Sequence, residues 1–202
     1  MRQPHQTLIK HSTQVYEPFS VVVLDTIGPL PCDESNHKYI ITVMDAFTRF
    51  TLLYPTVDAT AMSAAAALLH FFGLFGFPHI LRSDQGSQFL ASVVKSFCQL
   101  AGITNEVSIA YHHQPIVERE NQEVMRHLRA MIFDLQRYNW SIYLPLVQRV
   151  LNSSVSSVTG YSPAQMVFGQ TVNINRNLLP TDPWGGGSPP VDAHEYVKDL
   201  IE

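Results

Sequence analysis

The sequence has few of the features that mark disulfide-bonded, zinc-binding or membrane proteins. Two cysteines, Cys32 and Cys98, occur among 202 residues, which is too few for a disulfide scaffold and fits a reducing compartment. No cluster of histidine and cysteine has the spacing of a zinc site. No segment has the length and apolarity of a membrane span, and the N-terminus lacks the apolar block of a signal peptide. We therefore expect a soluble intracellular protein.

Positive charge is also scarce. Thirteen Lys and Arg stand against seventeen Asp and Glu, a net charge of −4. Because phosphate neutralisation supplies much of non-specific DNA affinity, this balance disfavours strong DNA binding by the chain alone. With 46% hydrophobic residues the chain can bury the core of one domain. We predict a flexible segment over 1–15, a folded core over 16–179, and a Pro/Gly linker and tail over 180–202.

Hydrophobic periodicity predicts strands and helices in mixed order. The predicted strands are Phe19–Leu24, Tyr39–Asp45, Arg49–Tyr54, His79–Arg82 and Thr104–Ala110. The predicted helices are Ala61–Phe72, Gln88–Leu100, Val117–Arg137 and Ser141–Asn152. The order βββαβαβαα does not suit a helix bundle or a β-sandwich, so the pattern indicates an α/β fold.

Three acidic residues stand in distinctive settings. Asp25 closes the apolar run Val21–Leu24, Asp84 follows the fourth predicted strand, and Glu118 opens the longest helical pattern. A carboxylate at the end of a buried strand is costly unless it is compensated. Three carboxylates brought together would repel one another, and a divalent metal is the usual reason to tolerate that arrangement. Singly, Asp25 and Asp84 are equally compatible with turn or cap acids, and Glu118 with a solvated first-turn acid.

The same segments carry a family resemblance. The strings are DTIGPLP at 25–31, SDQGSQF at 83–89 and VERxN at 117–121, supported by the segments 39–50 and 159–169. In this order they resemble the catalytic core of a retroviral or retrotransposon integrase, and more a gypsy (Ty3) type element than a vertebrate retrovirus. The match runs from about Tyr16 to Leu179.

The resemblance implies a ribonuclease-H-like fold with a five-stranded mixed sheet flanked by helices. It implies that Asp25, Asp84 and Glu118 are catalytic and hold Mg²⁺ (or Mn²⁺). The implied chemistry is trimming of DNA 3′ ends by water, followed by attack of the 3′-hydroxyl on target DNA. The implied partners are element ends, target DNA and at least a second copy of the chain, and the implied location is the nucleus.

The third acid is ambiguous by spacing. Family cores usually place thirty-five residues between the second and third acids. Thirty-three residues separate Asp84 from Glu118, and thirty-five separate Asp84 from Glu120. The count favours Glu120, whereas the VERxN string favours Glu118. We adopt Glu118, because a two-residue contraction of the segment 111–117 would change the count without moving the helix. The contraction puts activity in doubt more than fold.

Five polar residues near these acids are candidates for DNA contact: Gln85, Gln88, Asn121, Arg119 and Arg126. The two glutamines flank the second acid, and Asn121 lies one helical turn after the third, within reach of a metal's outer shell. The arginines lie on the polar side of the long helix, where a phosphate-binding strip and a solvated face both explain them.

Other interpretations stay open. By the resemblance, Asp45 belongs to a turn at a strand end and is not catalytic. The zinc module that precedes this core in the family needs two His and two Cys, and no Cys lies near His5 and His11; we therefore expect a core fragment. The acidic charge and short loop also allow a catalytically inactive or domesticated remnant that binds nucleic acid or protein, and a plain metal nuclease of the same fold is a third possibility.

Overall fold

The computed structural model describes residues 17–84, 86, 92–107, 115–135, 139–157 and 159–169. Within these residues five strands form one sheet that is flanked by helices. The strands are β1 (Val21–Ile27), β2 (Tyr39–Asp45), β3 (Thr51–Thr56), β4 (Ile80–Ser83) and β5 (Thr104–Val107). The helices are α1 (Ala61–Phe75), α2 (Ser92–Leu100), α3 (Pro115–Leu135), α4 (Leu144–Ser153) and α5 (Pro163–Phe168), with a 3-10 turn at Trp140–Tyr143 before α4.

The sheet is mixed, and its strand order is β3-β2-β1-β4-β5. Strands β1, β2 and β3 pair antiparallel through short connections, whereas β4 lies parallel to β1, and β5 lies parallel to β4. Parallel neighbours need crossover connections, and α1 and α2 supply them. The predicted five-stranded mixed sheet flanked by helices is confirmed.

Alternation along β1 divides the core between the two faces of the sheet. Val22 and Leu24 join the cluster that packs under α1 and α2. Ile27 joins the cluster that contains residues of α3, the 3-10 turn and α4. Because alternate residues of a strand share a face, Asp25 lies on the same face as Ile27, toward α3. The helix that carries the third predicted acid therefore packs over the strand that carries the first.

Several predicted boundaries shift for local reasons. Strand β1 continues to Ile27, so Asp25 lies inside it and not at its end. Phe19, predicted to begin β1, has a φ of 61°, and Arg49, predicted to begin β3, has a φ of 68°. Neither backbone is extended, so both strands begin two residues later. Parts of three predicted elements, 88–91, 108–110 and 136–137, lie outside the described residues, as do 1–15 and 180–202.

Helix boundaries follow their caps. Helix α1 begins after Thr60, whose side chain accepts from the Ser63 backbone N–H, and extends past Phe72 to Phe75, where Gly76 with a φ of 82° caps it. Helix α5 was not predicted, although Ser162 and Gln165 form a capping box at its start. None of the helices in the described residues is long and apolar enough to cross a membrane.

The edge strand β3 is covered by side chains of α4. The Asn152 amide accepts from the Thr51 N–H at 2.8 Å and donates to the Thr51 carbonyl at 2.8 Å. One helical turn earlier, Gln148 accepts from the Leu53 N–H at 2.9 Å. A helix rises about 6 Å over four residues, which nearly matches two residues of a strand. The two amides therefore satisfy backbone groups that an edge strand leaves unpaired.

A buried acid ties the β1–β2 connection to the 3-10 turn. Asp33 is 5% exposed and accepts hydrogen bonds from the backbone N–H groups of Ser35, His37 and Ser141 and from the His37 ring. Burial alone would raise the pKa of Asp33, but the bonds from Ser141 and His37 outweigh it and hold the pKa below its ordinary value. This carboxylate fixes the loop that leaves β1.

Candidate active site

The register between β1 and β4 places the first two predicted acids side by side. Leu24 pairs with Ser83 in the parallel ladder, so the next residues along the two strands are Asp25 and Asp84. Residues in register on parallel strands project to the same face, and adjacent strands lie about 4.8 Å apart. The sheet thus brings close together the backbones of two acids that are fifty-nine positions apart in the sequence.

Asp84 is exposed and stands just past the end of β4. One of its carboxylate oxygens accepts from the Gly86 N–H at 2.9 Å. This is the geometry of an Asx turn, in which the side chain holds the backbone that follows it. The predicted DNA-contacting residues Gln85 and Gln88 lie outside the described residues, so their roles stay predictions.

Asp25 is half-buried and is held by helix α3. Its Oδ2 accepts from Asn121 Nδ2 at 2.6 Å, and its Oδ1 accepts from the Thr26 N–H at 2.7 Å. The short bond to Asn121 joins residues that are ninety-six positions apart, and a charged acceptor makes such a bond strong. Among the described residues nothing donates to the buried Asn121 Oδ1. A buried oxygen without a partner, beside a carboxylate, suits a water molecule of a cation's hydration shell.

Helix α3 carries both candidates for the third acid. Glu118 lies one turn before Asn121, and residues three apart are neighbours on a helix surface; its side chain is outside the described residues. Glu120 is half-buried and accepts from Thr51 Oγ1 at 3.3 Å. Burial raises the pKa of Glu120, and the bond from Thr51 opposes that shift. Glu120 therefore points to β3, two strands away from Asp25.

The polar side of α3 continues from Asn121 as a groove of about 500 Å³, lined by Asn121, Gln122, Met125, Arg126 and Arg129. Arg126 is exposed and is paired with Glu123 at 2.6 Å, so its charge is partly neutralised within the helix. Arg119 is also exposed. The polar side of α3 that carries the arginines therefore begins next to the contact between Asn121 and Asp25 and continues along the surface of the helix.

Asp45 has the structural role that the resemblance implied. It is fully buried, and its carboxylate accepts from the Phe19 N–H at 2.9 Å, the Thr48 N–H at 2.8 Å and the Thr48 hydroxyl at 2.6 Å. These bonds close the β2–β3 turn and attach it to the segment before β1. A carboxylate with three donors is compensated without a metal.

Arg82 lies at the site although the sequence patterns did not single it out. It pairs with Val23 in the ladder and precedes Asp84 by two residues, so it lies on the same face as both predicted acids. Its guanidinium contacts Glu106 of β5 at 2.8 Å. Because alternate residues of a strand share a face, the position of Arg82 two residues before Asp84 is the sequence signal that predicts Arg82 on the face of the site.

Oxygen donors of the site suit a hard divalent cation. Mg²⁺ and Mn²⁺ take carboxylate, amide and water oxygens, and Asp25, Asp84 and the partnerless oxygen of Asn121 are of this kind. Among the described side chains no three His, Cys, Asp or Glu converge into a metal-holding group. The described part of the site is thus a carboxylate pair, and Glu118 is the candidate to complete it.

Comparison with known proteins identifies the family. The integrase core domain family model matches residues 15–113. The Pol polyprotein from transposon 412 of Drosophila melanogaster is 30% identical over 163 residues, covering 79% of this chain and 13% of that protein. The Pro-Pol polyprotein of simian foamy virus type 1 is 36% identical over 152 residues, covering 74% and 13%. Retrotransposon and retroviral relatives are both represented, and the chain spans a small part of either.

Solved structures show the same fold. The magnesium complex of the HTLV-2 integrase catalytic core domain, described in trimeric and dimeric forms, has a TM-score of 0.62 and 19% identity over 73% of this chain and 95% of that chain. The catalytic core domain of BIV integrase has a TM-score of 0.60 and 20% identity over 73% and 93%. The predicted ribonuclease-H-like fold is confirmed, and residues 15–113 match the model of the integrase core domain family.

Proposed function

We propose that this domain is a Mg²⁺- or Mn²⁺-dependent polynucleotidyl transferase that trims DNA 3′ ends with water and then joins the 3′-hydroxyl to target DNA. The observation that carries the proposal is the β1–β4 register, whose last pair, Leu24 and Ser83, directly precedes Asp25 and Asp84, with Asn121 of α3 bonded to Asp25. Family membership supports the reaction class, and the complex of the HTLV-2 core with magnesium supports the choice of cofactor.

Asp25, Asp84 and Glu118 would hold the cation in this proposal. Bound there, it would activate the attacking oxygen and stabilise the leaving oxygen of an in-line displacement at phosphorus. In the first reaction a water oxygen bonds to phosphorus and the phosphodiester bond breaks to leave a 3′-hydroxyl. In the second reaction that hydroxyl is the nucleophile and the target-strand 3′ oxygen leaves. The Asp84 turn and the Asn121 bond to Asp25 keep the two carboxylates oriented before substrate arrives.

The choice of Glu118 over Glu120 rests on helix geometry. At about 100° per residue, Glu118 lies about 60° from Asn121 on one side, whereas Glu120 lies about 100° away on the other. Asn121 faces Asp25, and Glu120 is bonded to Thr51 of β3. Glu118 is therefore the glutamate whose helix position adjoins the carboxylate pair.

DNA would lie along the groove of α3. Asn121, Arg119 and Arg126 are proposed to contact it, together with Gln85 and Gln88 next to Asp84. Because the net charge is −4, we expect weak, salt-sensitive binding by this domain alone. We further propose action on DNA in the nucleus and assembly of at least two copies, in line with the dimeric and trimeric forms of the HTLV-2 core.

The test is strand exchange on a labelled branched DNA in Mg²⁺ or Mn²⁺. We expect activity in the wild type, and its loss in Asp84→Asn and Glu118→Gln, because each change removes a negatively charged oxygen ligand. Asp84→Glu and Glu118→Asp are the charge-preserving controls for ligand geometry. Hydrolysis without joining would identify a plain nuclease. A folded wild type that is inactive with both metals would favour the remnant hypothesis, for which the acidic charge and the short loop are the supporting observations.

A further inference from the structure

Helix α3 rests on the sheet through a narrow apolar stripe. Val124 and Leu128 are buried in the cluster formed with the sheet and α4. Gln122, Arg126 and Arg129, on the other side of the helix, are exposed. Met125 of the same helix also packs against this cluster. Among the described side chains of α3, the polar contacts beside these apolar ones add to what fixes the rotation of the helix about its own axis. Since Asn121 must face Asp25, that rotation matters for the site.

Two polar contacts flank the stripe. On one side Asn121 donates to Asp25 of β1, and on the other Glu120 accepts from Thr51 of β3. Adjacent helix residues differ by about 100°, and Val124 falls between these two directions. Strands β1 and β3 are separated by β2, a distance of about 10 Å. The helix is therefore held from both sides, at strands spaced about one helix diameter apart.

Thr51 is itself immobilised. It is fully buried, and its backbone N–H and carbonyl are both bonded to the Asn152 amide. Its single hydroxyl proton is shared between the Arg49 carbonyl at 3.0 Å and Glu120 Oε1 at 3.3 Å. Burial lowers the pKa of the Arg49 guanidinium, and the nearby acids Asp45 and Glu120 oppose that shift. The group that Glu120 contacts is thus fixed by β3, by α4 and by the β2–β3 turn.

We propose that Glu120 is a positioning residue whose contact with Thr51 sets the rotation of α3, so that Asn121 and the preceding turn with Glu118 face Asp25. Glu120 contacts no reacting atom in this role. The structural part of the proposal concerns the protein without metal or DNA, whereas its consequence for rate rests on the proposed function. The two parts are therefore tested separately.

The structural part is tested by NMR of the Asn121 side-chain amide in the metal-free protein. Glu120→Ala and Thr51→Val each remove one partner of the contact, and we expect both to shift the Asn121 amide resonance and raise its solvent exchange about tenfold. Glu123→Ala is the matched control, since Glu123 lies on the same helix and its carboxylate bonds to Arg126. Retained thermal unfolding transitions check the fold. Because Glu120 adjoins Asn121 in the sequence, Thr51→Val is the deciding variant, and an Asn121 amide that is unchanged in it would overturn the proposal.

The catalytic part is tested by kinetics of strand exchange. We expect Glu120→Ala to lower kcat about tenfold to a hundredfold with KM little changed, the range for misplaced catalytic groups. Glu120→Gln, which keeps an oxygen acceptor for Thr51, should recover most of the rate. Thr51→Val should lower kcat similarly, and the double variant Thr51→Val/Glu120→Ala should be no slower than Glu120→Ala alone.

A different set of rates would identify Glu120 as a metal ligand. If Glu120→Gln abolished activity as fully as Glu118→Gln while Thr51→Val were as active as the wild type, the positioning role would be overturned. If the wild type were inactive, the proposed function would fail on its own, and the Asn121 amide would still decide whether Glu120 sets the rotation of α3.

Discussion

Replacing Asp45 by asparagine separates a structural acid from the acids of the candidate site. Asp45 and Asp25 lie on neighbouring strands, and the family resemblance assigns a structural role to Asp45 and a ligand role to Asp25. Asp45 is fully buried and accepts three hydrogen bonds from Phe19 and Thr48. If these bonds define its role, its replacement lowers the free energy of unfolding whether or not a metal is present.

The magnitude follows from the donors. An asparagine oxygen can keep the two bonds from Thr48, but its NH₂ then meets the Phe19 N–H, so one acceptor becomes a donor. In the variant the two bonds from Thr48 are made to a neutral oxygen, and the Phe19 N–H is left without an acceptor. Hydrogen bonds to charged groups contribute about 1.5–3 kcal/mol and a buried unpaired donor costs about 1–3 kcal/mol. Allowing for relaxation, we expect Asp45→Asn to destabilise the fold by about 2–4 kcal/mol.

Urea unfolding followed by circular dichroism measures this loss. With a denaturant slope of about 2 kcal/mol/M, the midpoint should fall by about 1–2 M in EDTA and in Mg²⁺ alike. Asp84→Asn is the counterpart, because Asp84 is exposed beside Asp25; its midpoint in EDTA should be unchanged or higher. An unaltered midpoint for Asp45→Asn, or a loss seen only with Mg²⁺, would refute the structural assignment.

Contacts outside the carboxylate pair give three further predictions. Asn152→Ala should cost about 2–4 kcal/mol because it leaves two buried groups of β3 unpaired, whereas Gln148→Ala leaves one; equal costs in urea unfolding would contradict this. Because the pKa of Asp33 is depressed, its stabilisation is present above about pH 4 and is lost as the pH falls through the folded value; the gap in unfolding free energy between wild type and Asp33→Asn should therefore shrink as the pH falls below about 4, and a constant gap would contradict it. Arg126→Gln should weaken DNA binding and reduce the slope of log K against log salt by about 1; an unchanged slope would exclude a phosphate contact.

Most of the architecture could be predicted because its signals are local. Apolar runs, the Thr60 cap and the Gly76 stop mark elements within a few residues of their ends. The two strand starts that were predicted too early depend on the positive φ of Phe19 and Arg49, and nothing in their side chains announces that conformation. Ser162 and Gln165 form a capping-box signal for helix α5, but its six residues are too few to show a helical period in the sequence.

The glycine of the DTIGPLP string shows how a motif residue reflects close packing. Gly28 has a φ of 137°, and a Cβ there would lie 2.7 Å from the Tyr39 ring and 2.8 Å from the Lys38 carbonyl. Both distances are below contact, so the backbone can pass the start of β2 only without a side chain. The string therefore contains both the acid Asp25 and Gly28, the residue that lets the chain after β1 pass close to the start of β2. The spacing of the string alone reveals neither role.

Contacts within the site could not be predicted, because they join residues distant in sequence. The bond of Asn121 to Asp25 spans ninety-six positions, and the contact of Glu120 with Thr51 spans sixty-nine. Counting residues favoured Glu120 as the third ligand, since a count assumes a loop of standard length. The direction in which a helical side chain points depends on how the helix is rotated on the sheet, and that rotation is set by partners on β1 and β3.

Burial and donor count then distinguish acids that look alike in sequence. Asp33 and Asp45 are each 5% exposed or less, and N–H and O–H donors of the surrounding backbone and side chains hold them. Such acids are costly to bury and are retained because the donors compensate their charge. Asp84 is exposed at the end of a strand, beside a second carboxylate on the adjacent strand. Two carboxylates on adjacent strands repel each other and do not by themselves stabilise the fold, and the cation of the proposed function would supply the physical reason to keep them there.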